Sequence, residues 1–280
     1  MSQIATETLQ QWSDTAKYWT KHSATIRQMF SPLTEALIED AAIVQGQSVL
    51  DVAGGAGEPS LTIADRVGPS GSVMCTDAVA EMVAAAQAEA EKRGLRNIEF
   101  RQCTADSLPF SDDSFDAAVS RLGAMFFPDP EADCREMLRV TKPDGRIAFV
   151  VWRRSEINPF CSVVTDIMAR HVEAAPTDPD APGAFRFAEP GKLASILESA
   201  GGVDVHERVL KFDIAAPISP AEFWQMRSAI SETLRTKLQK LSDAERAQIA
   251  KEVLASVTEF FPDDRMRFPA QMLIVTGRKR

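Results

Sequence analysis

The run Val49-Leu50-Asp51-Val52-Ala53-Gly54-Gly55-Ala56-Gly57 sets one carboxylate inside an apolar stretch and then places three glycines within a few residues. A strand that ends in a glycine turn at a helix N-terminus brings backbone N–H groups and the positive end of the helix dipole close to a ligand, because glycine has no Cβ to keep the two apart. Asp77 closes the next apolar run, 20 residues after Gly57, where its carboxylate can accept hydrogen bonds from both hydroxyls of a ribose. Asp106 follows a third run, in Cys103-Thr104-Ala105-Asp106-Ser107-Leu108, and can accept from the exocyclic amine of an adenine. A glycine turn and two acids in this order suit an adenosine-containing cofactor.

The spacing narrows the choice. The dinucleotide fingerprint needs G-x-G-x-x-G, and no frame between Ala53 and Ser60 satisfies it, which leaves an NAD(P)-dependent oxidoreductase as the alternative reading. The phosphate-cradling loop of nucleoside triphosphatases needs Lys and then Ser or Thr after its last glycine; here Gly57 is followed by Glu58 and Pro59. Triphosphate hydrolysis is excluded on that ground.

The elements that must position these residues alternate. From residue 48 the pattern runs strand then helix, with apolar runs at 48–53, 72–77, 98–103, 115–120 and 146–152 and helical periodicity between them. Such alternation predicts a parallel sheet covered by helices on both faces. Residues 4–44 read as two helices with a break around 22–32, able to cover the core, and Lys142-Pro143-Asp144-Gly145 as a turn into the fifth strand. The stretch 176–191, rich in proline and glycine, reads as a loop or lid. Residues 192–202 then read as a helix, 203–213 as a strand and 219–262 as one or two amphipathic helices. Ser242 with Glu245 three residues on has the form of a capping box, and the chain closes on a strand through Gln271-Met272-Leu273-Ile274-Val275.

The 280 residues, 45% hydrophobic and 25% charged, are those of an ordinary globular protein with one large core plus a cap. A net charge of −9 repels phosphate backbones and anionic lipid surfaces, so the expected partners exclude nucleic acid and stable membrane insertion. Cys75, Cys103, Cys134 and Cys161 lie too far apart in sequence for a zinc or redox motif, so no metal is expected and the thiols read as reduced. The N-terminal residues lack the basic start and apolar run of a signal peptide, and a cytoplasmic monomer or homodimer is expected.

Four segments together resemble the class I S-adenosylmethionine-dependent methyltransferases, in particular the ubiquinone/menaquinone C-methyltransferase-like (methyltransferase type 11) group. They are 49–58 with the glycines, 75–83 with Asp77, 103–120 with Asp106, and 136–150 with the fifth strand. The resemblance covers roughly residues 48–152, more loosely 185–213 and the last strand. It implies an α/β fold with a doubly wound, seven-stranded, mostly parallel Rossmann-like sheet and a helical cap. S-adenosyl-L-methionine is the implied cofactor and a small, hydrophobic or aromatic molecule the implied methyl acceptor. The alternative within the same fold is a non-catalytic S-adenosylmethionine-binding protein. By resemblance, Ala53, Gly54, Gly55 and Gly57 pass under the methionine part with Asp51 close by, and Asp77 holds the ribose. Ala78 and Met82 flank the adenine, Ala105, Asp106 and Ser107 read its edge, and Ser120 sits by the sulfonium. Two departures matter: Ala53 stands where the family usually has its first glycine, and the stretch from Arg121-Leu122-Gly123-Ala124 to Pro130 replaces the Gly-Leu-Arg-Asn segment of the quinone enzymes.

Methyl transfer needs alignment and exclusion of water more than it needs a nucleophile. Should the acceptor need a base, His22 in the cap is the candidate, ahead of His171 and His206. Tyr18 and Trp19, with Trp12, can close over the methionine end or meet the sulfonium by cation–π contact. Arg121, Met125 and Phe126, next to Phe127, are the expected acceptor pocket. The expected organisation is an N-terminal cap (1–45), a cofactor-binding core (46–152), and a C-terminal part (153–280). That last part holds lid or cap helices at about 153–190 and 219–262 and the last two strands.

Overall fold

The computed structural model describes residues 3–172 and 178–280, with the side chains of residues 3–8 left out. Pro176 and Thr177 of the proposed lid, and Met1 and Ser2, lie outside the described residues. A seven-stranded sheet runs in the order β3-β2-β1-β4-β5-β7-β6, and only β7 is antiparallel to its neighbours. Its strands are β1 (Ser48–Val52), β2 (Ser72–Asp77), β3 (Ile98–Gln102), β4 (Phe115–Arg121), β5 (Thr141–Trp152), β6 (Val203–Ala216) and β7 (Met266–Arg278). The two central strands are buried on both faces: Val49, Leu50, Asp51 and Val52 in β1, and Ala117, Ala118 and Val119 in β4. That is why they read as continuous apolar runs and not as alternating ones. β1 pairs with β2 on one side and β4 on the other, so the strand order reverses at β1 and a crevice opens beyond its C-terminal end.

Among the described residues, ten α-helices surround the sheet. α1 (Gln3–Lys21) and α2 (Ser23–Asp40) form the predicted N-terminal pair, but the break is confined to His22: α2 runs on through the rest of the 22–32 stretch with Pro32 inside it. α2 buries Ile26, Met29, Phe30, Leu33 and Leu37, three and four residues apart, against the sheet. α3 (Ser60–Val67), α4 (Ala80–Arg93) and α5 (Pro130–Val140) follow β1, β2 and β4. α6 (Pro159–His171) and α7 (Lys192–Ser199) precede β6; α8 (Pro220–Ile230), α9 (Glu232–Gln239) and α10 (Asp243–Ser256) lie between β6 and β7.

The predicted one or two helices of 219–262 are therefore three. Ser219, Ser231 and Ser242 each restart a helix by accepting a hydrogen bond from a backbone N–H three residues on, and Ser219–Glu222 and Ser242–Glu245 are full capping boxes. Trp152, Phe160, Phe223 and Phe268 tie these helices to the sheet, with Trp152 and Phe160 at 6.3 Å and Phe223 and Phe268 at 5.1 Å between ring centroids. Lys142-Pro143-Asp144-Gly145 is not a separate turn but a bulge within β5. Thr141 pairs with Phe115 and Arg146 with Ala117, and Asp144 takes a φ of 61° to absorb the extra residues.

Candidate active site

A cavity of about 690 Å³ lies at the C-terminal ends of β1, β2 and β4, roofed by α1 and α2. Its floor is the glycine turn. Ala53 and Gly55 have φ of 58° and 57°, and Gly54 donates to the Thr76 carbonyl at 2.8 Å, which fastens the turn to β2. A Cβ on Gly54 would lie 2.7 Å from Cys75 Sγ and 2.8 Å from Asp51 Oδ2, so only glycine lets the turn lie down on that carboxylate. Nothing stands within 4 Å of the space a Cβ would take on Gly55, which faces the cavity.

Asp51 is thus beneath the turn and not on the wall. It is fully buried; Oδ2 accepts from Ser60 N–H at 3.1 Å and Ser60 Oγ at 2.5 Å, while Oδ1 has no partner among the described residues. Burial pushes its pKa up to about 7, with the Ser60 hydrogen bonds and nearby Arg121 working against that rise. Asp77 does reach the wall: Oδ2 accepts from Gly55 N–H and Oδ1 from Val79 N–H, each at 2.9 Å, leaving one lone pair on each oxygen for a ligand. Burial raises its pKa and the two N–H groups lower it.

The β4 end meets the β1 end closely. A Cβ on Gly123 would lie 2.6 Å from Ala53 Cβ and 2.8 Å from Ser120 Oγ. Leu122, on the wall, has φ of 62°, a left-handed conformation rare for leucine and of the kind found at functional sites. Ser120 is fully buried behind the wall, its hydroxyl without a partner among the described residues. Arg121 donates from Nη1 to Thr34 Oγ1 (2.6 Å) and from Nη2 to the Glu58 carbonyl (3.0 Å), clamping α2 to the turn before α3. Its Nε has no partner, and burial lowers the guanidinium pKa against the pull of Glu58 and Asp51.

Of the remaining sequence-predicted residues, Ala53, Gly54, Ala78, Met82, Ala105, Asp106, Trp19 and Phe126 line the cavity together with Gly55, Asp77 and Arg121. Trp12 and Phe127 do so as well, and the rings of Trp12 and Phe126 pack edge-on at 5.1 Å. Gly57 supports the wall from behind, with φ of 114° and its Cβ direction aimed at Leu61. Ser107 is exposed beyond the rim. Tyr18 turns away from the cavity, between the Lys17 ammonium and the Arg235 guanidinium at 5.0 and 5.1 Å. Met125 is 2% exposed and packs in the core, and its carbonyl accepts from Gly183 N–H. His22 sits at the α1–α2 break off the wall, its pKa lowered by burial and by Lys21. His171 bridges α6 to Glu252 of α10 at 3.2 Å, and His206 stands on β6 opposite Thr276.

The cavity also holds residues the sequence reading did not select. Ile26, Arg27 and Phe30 descend from α2, Pro182 comes from the segment after residue 178, and Asp133 from the first turn of α5. Asp133 had a visible signal: it falls on the apolar stripe Pro130, Cys134, Met137, Leu138, where an acid is out of place. Open space over Gly55, the free lone pairs of Asp77 and the unpartnered Trp19 Nε1, Arg121 Nε and Asp133 Oδ2 fit a ligand that is polar along its length and enclosed by aromatic walls.

Comparison with known proteins gives the same direction. The profile of the ubiE/COQ5 methyltransferase family matches residues 26–172. Nocamycin O-methyltransferase of Saccharothrix syringae is 30% identical over 269 residues, spanning 92% of this chain and 95% of that protein. The ubiquinone/menaquinone biosynthesis C-methyltransferase UbiE of Hahella chejuensis is 36% identical over 131 residues, 46% of this chain and 52% of that one, so this likeness spans only about half of either protein. Among solved structures, the YcgJ protein of Bacillus subtilis has the same fold, with a TM-score of 0.55 at 23% identity over 89% of this chain and 99% of that one.

Proposed function

Because this chain belongs to the ubiE/COQ5 methyltransferase family, and is therefore an S-adenosylmethionine-dependent methyltransferase, we propose that it methylates a small hydrophobic or aromatic molecule within the cavity over the glycine turn. S-adenosylmethionine, when bound, supplies an electrophilic methyl group on a sulfonium. Asp77 accepts hydrogen bonds from the ribose hydroxyls, and Ala78 and Met82 flank the adenine. Ala105 and Asp106 stand along its edge, with Ser107 beyond the rim, and Ala53, Gly54 and Gly55 lie under the amino-acid part, held by Asp51 and Gly57 below. Trp19 stands at the sulfonium end, and Ser120, buried behind the wall, supports it from beneath. Trp12, Ile26, Phe30, Phe126 and Phe127 supply the apolar surface that seats the acceptor and keeps water out, with Arg27 and Arg121 as cations among them. The observation that carries the reading is the Asp77 carboxylate, fixed by Gly55 and Val79 N–H groups and still open to the cavity.

Oxygen is the favoured acceptor atom: the relative matched over nearly its whole length is named an O-methyltransferase, while the C-methyltransferase match covers half. With no histidine among the described residues on the wall, an acceptor hydroxyl acidic enough to ionise without a dedicated base fits better than one needing His22. The 1–45 cap, 46–152 core and 153–280 C-terminal part, in a cytoplasmic monomer or homodimer, complete the reading, and four unpaired cysteines support that location. Incubation with S-adenosylmethionine and a panel of phenols, enols and carboxylic acids should give a methylated small molecule and S-adenosylhomocysteine. Methylation of nucleic acid or polypeptide alone would overturn the proposal, and cofactor binding without any product would favour a non-catalytic role.

The glycines separate binding from folding. Gly55→Leu places its side chain in open cavity space and should cost about 1 kcal/mol of stability for its left-handed backbone while abolishing measurable S-adenosylhomocysteine binding. Gly57→Leu, whose Cβ would lie 2.7 Å from Leu61 Cδ1 and 3.3 Å from Ala86 Cα, should instead fail to give a folded protein. Melting curves and calorimetry on both variants read the contrast; equal effects of the two on stability would contradict it.

A further inference from the structure

Asp133 is a buried acid that the proposed chemistry leaves without a task. The loop after β3 is fastened to one face of α5: Leu108 N–H donates to Glu136 Oε2 at 3.0 Å, and Arg139 donates to the Leu108 and Phe110 carbonyls at 2.8 Å each. Asp133 precedes Glu136 by three residues, so it lies on that same face one turn nearer the N-terminus, within electrostatic reach of Asp106. It lines the cavity beside Asp106, is only 1% exposed, and its Oδ2 has no hydrogen-bond partner among the described residues. A buried polar atom without a partner, on a residue that lines a ligand cavity, is where a ligand group belongs.

The groups around it decide its proton. Asp106 faces it from the loop, Asp129 from the N-cap of α5 and Arg186 from the segment that covers the turn before α5. Burial and the two acids push the Asp133 pKa up to about 8, and Arg186 works the other way. At neutral pH the pair then offers one acceptor, the Asp106 carboxylate at the rim, and one donor, the Asp133 acid at depth. Adenine presents the complementary edge, an amine donor next to a ring-nitrogen acceptor.

We propose that Asp106 and Asp133 together read the donor–acceptor edge of the cofactor's adenine, Asp106 accepting from the amine and Asp133 donating to the neighbouring ring nitrogen. The proposal rests on the cofactor reading above. It makes the pair reject a 6-oxo purine, whose oxygen would face the Asp106 carboxylate and whose ring N–H would face the Asp133 acid.

Calorimetry with 5′-methylthioadenosine tests it, because that probe has neither the amino-acid part over Asp51 nor a transferable methyl group. Wild-type affinity should be level from pH 6 to 7 and fall at least fivefold by pH 9.5, and the 6-oxo analogue should bind at least a hundredfold more weakly at pH 7. Asp133→Asn keeps a neutral donor of the same size, and should stay within about threefold of wild type at pH 7 and lose the pH dependence. Asp133→Leu should lose tenfold or more at pH 7 while still folding, as judged by its melting curve. Wild-type binding that is independent of pH, or a leucine variant that binds as tightly as wild type, overturns the inference while leaving the cofactor reading intact. Wild-type protein that binds neither this probe nor S-adenosylhomocysteine overturns both.

Discussion

Replacing Asp77 with alanine should weaken S-adenosylmethionine binding by two to three orders of magnitude. The carboxylate does two things at once: it pins the N–H groups of Gly55 and Val79, which shapes the turn, and it offers the remaining lone pairs to the cavity. Hydrogen bonds to a charged group contribute about 1.5–3 kcal/mol each, so losing two to the ligand corresponds to roughly a hundred- to thousandfold or more in affinity. Asp77→Asn keeps one acceptor oxygen and puts an N–H₂ donor against one of the two backbone N–H groups; its loss should be smaller, about tenfold to a hundredfold, with a lowered melting temperature from that clash of donors. Titration calorimetry with S-adenosylhomocysteine measures both. An alanine variant within threefold of wild type would remove Asp77 from the site.

The second large effect concerns stability and pH. Asp51 has a folded pKa raised to about 7, above its value in the unfolded chain. Between the two values the folded state holds a proton that the unfolded chain has released. The stabilisation from the protonated carboxyl is therefore complete below about pH 4 and is lost as the pH rises through 7. The shift corresponds to on the order of 4 kcal/mol. Asp51→Asn cannot titrate and keeps an oxygen to accept from Ser60, so wild type minus variant isolates this carboxyl from Asp77 and Asp133. Urea unfolding at pH 4.5 and pH 8 should show the wild type losing several kcal/mol relative to the variant over that interval. Parallel stabilities across the range would mean that Asp51 is ionised and well compensated in the fold.

The parts of this site that can be read from sequence are those made by adjacent residues. Gly54, Gly55 and Asp77 stand at strand ends, and a strand end followed by a glycine turn dictates its own geometry whatever surrounds it. Residues placed by distant packing are less legible. Ile26, Arg27 and Phe30 reach the cavity only because α2 crosses over β4, and Pro182 only because Gly183 and Arg186 bond the backbone of Met125 and Phe127. Single steps along an element also change its face. Trp12 and Trp19 stand seven residues apart on α1 and share one side of it, while Tyr18 is rotated by one residue toward Arg235. His22 falls at the helix break, where that periodicity stops applying. The bulge at 142–145 was hidden because it depends on the pairing of Thr141 with Phe115 in β4, 26 residues earlier.

Methyl transfer to a small molecule inside this cavity is the claim on which the rest depends, and mass spectrometry of cell-extract metabolites incubated with the protein and methyl-labelled S-adenosylmethionine tests it most directly. The expected result is label on the oxygen of a small apolar or aromatic molecule, absent when the Asp77→Ala variant replaces wild type. Label found only in macromolecules, or transfer that persists undiminished in that variant, would contradict it.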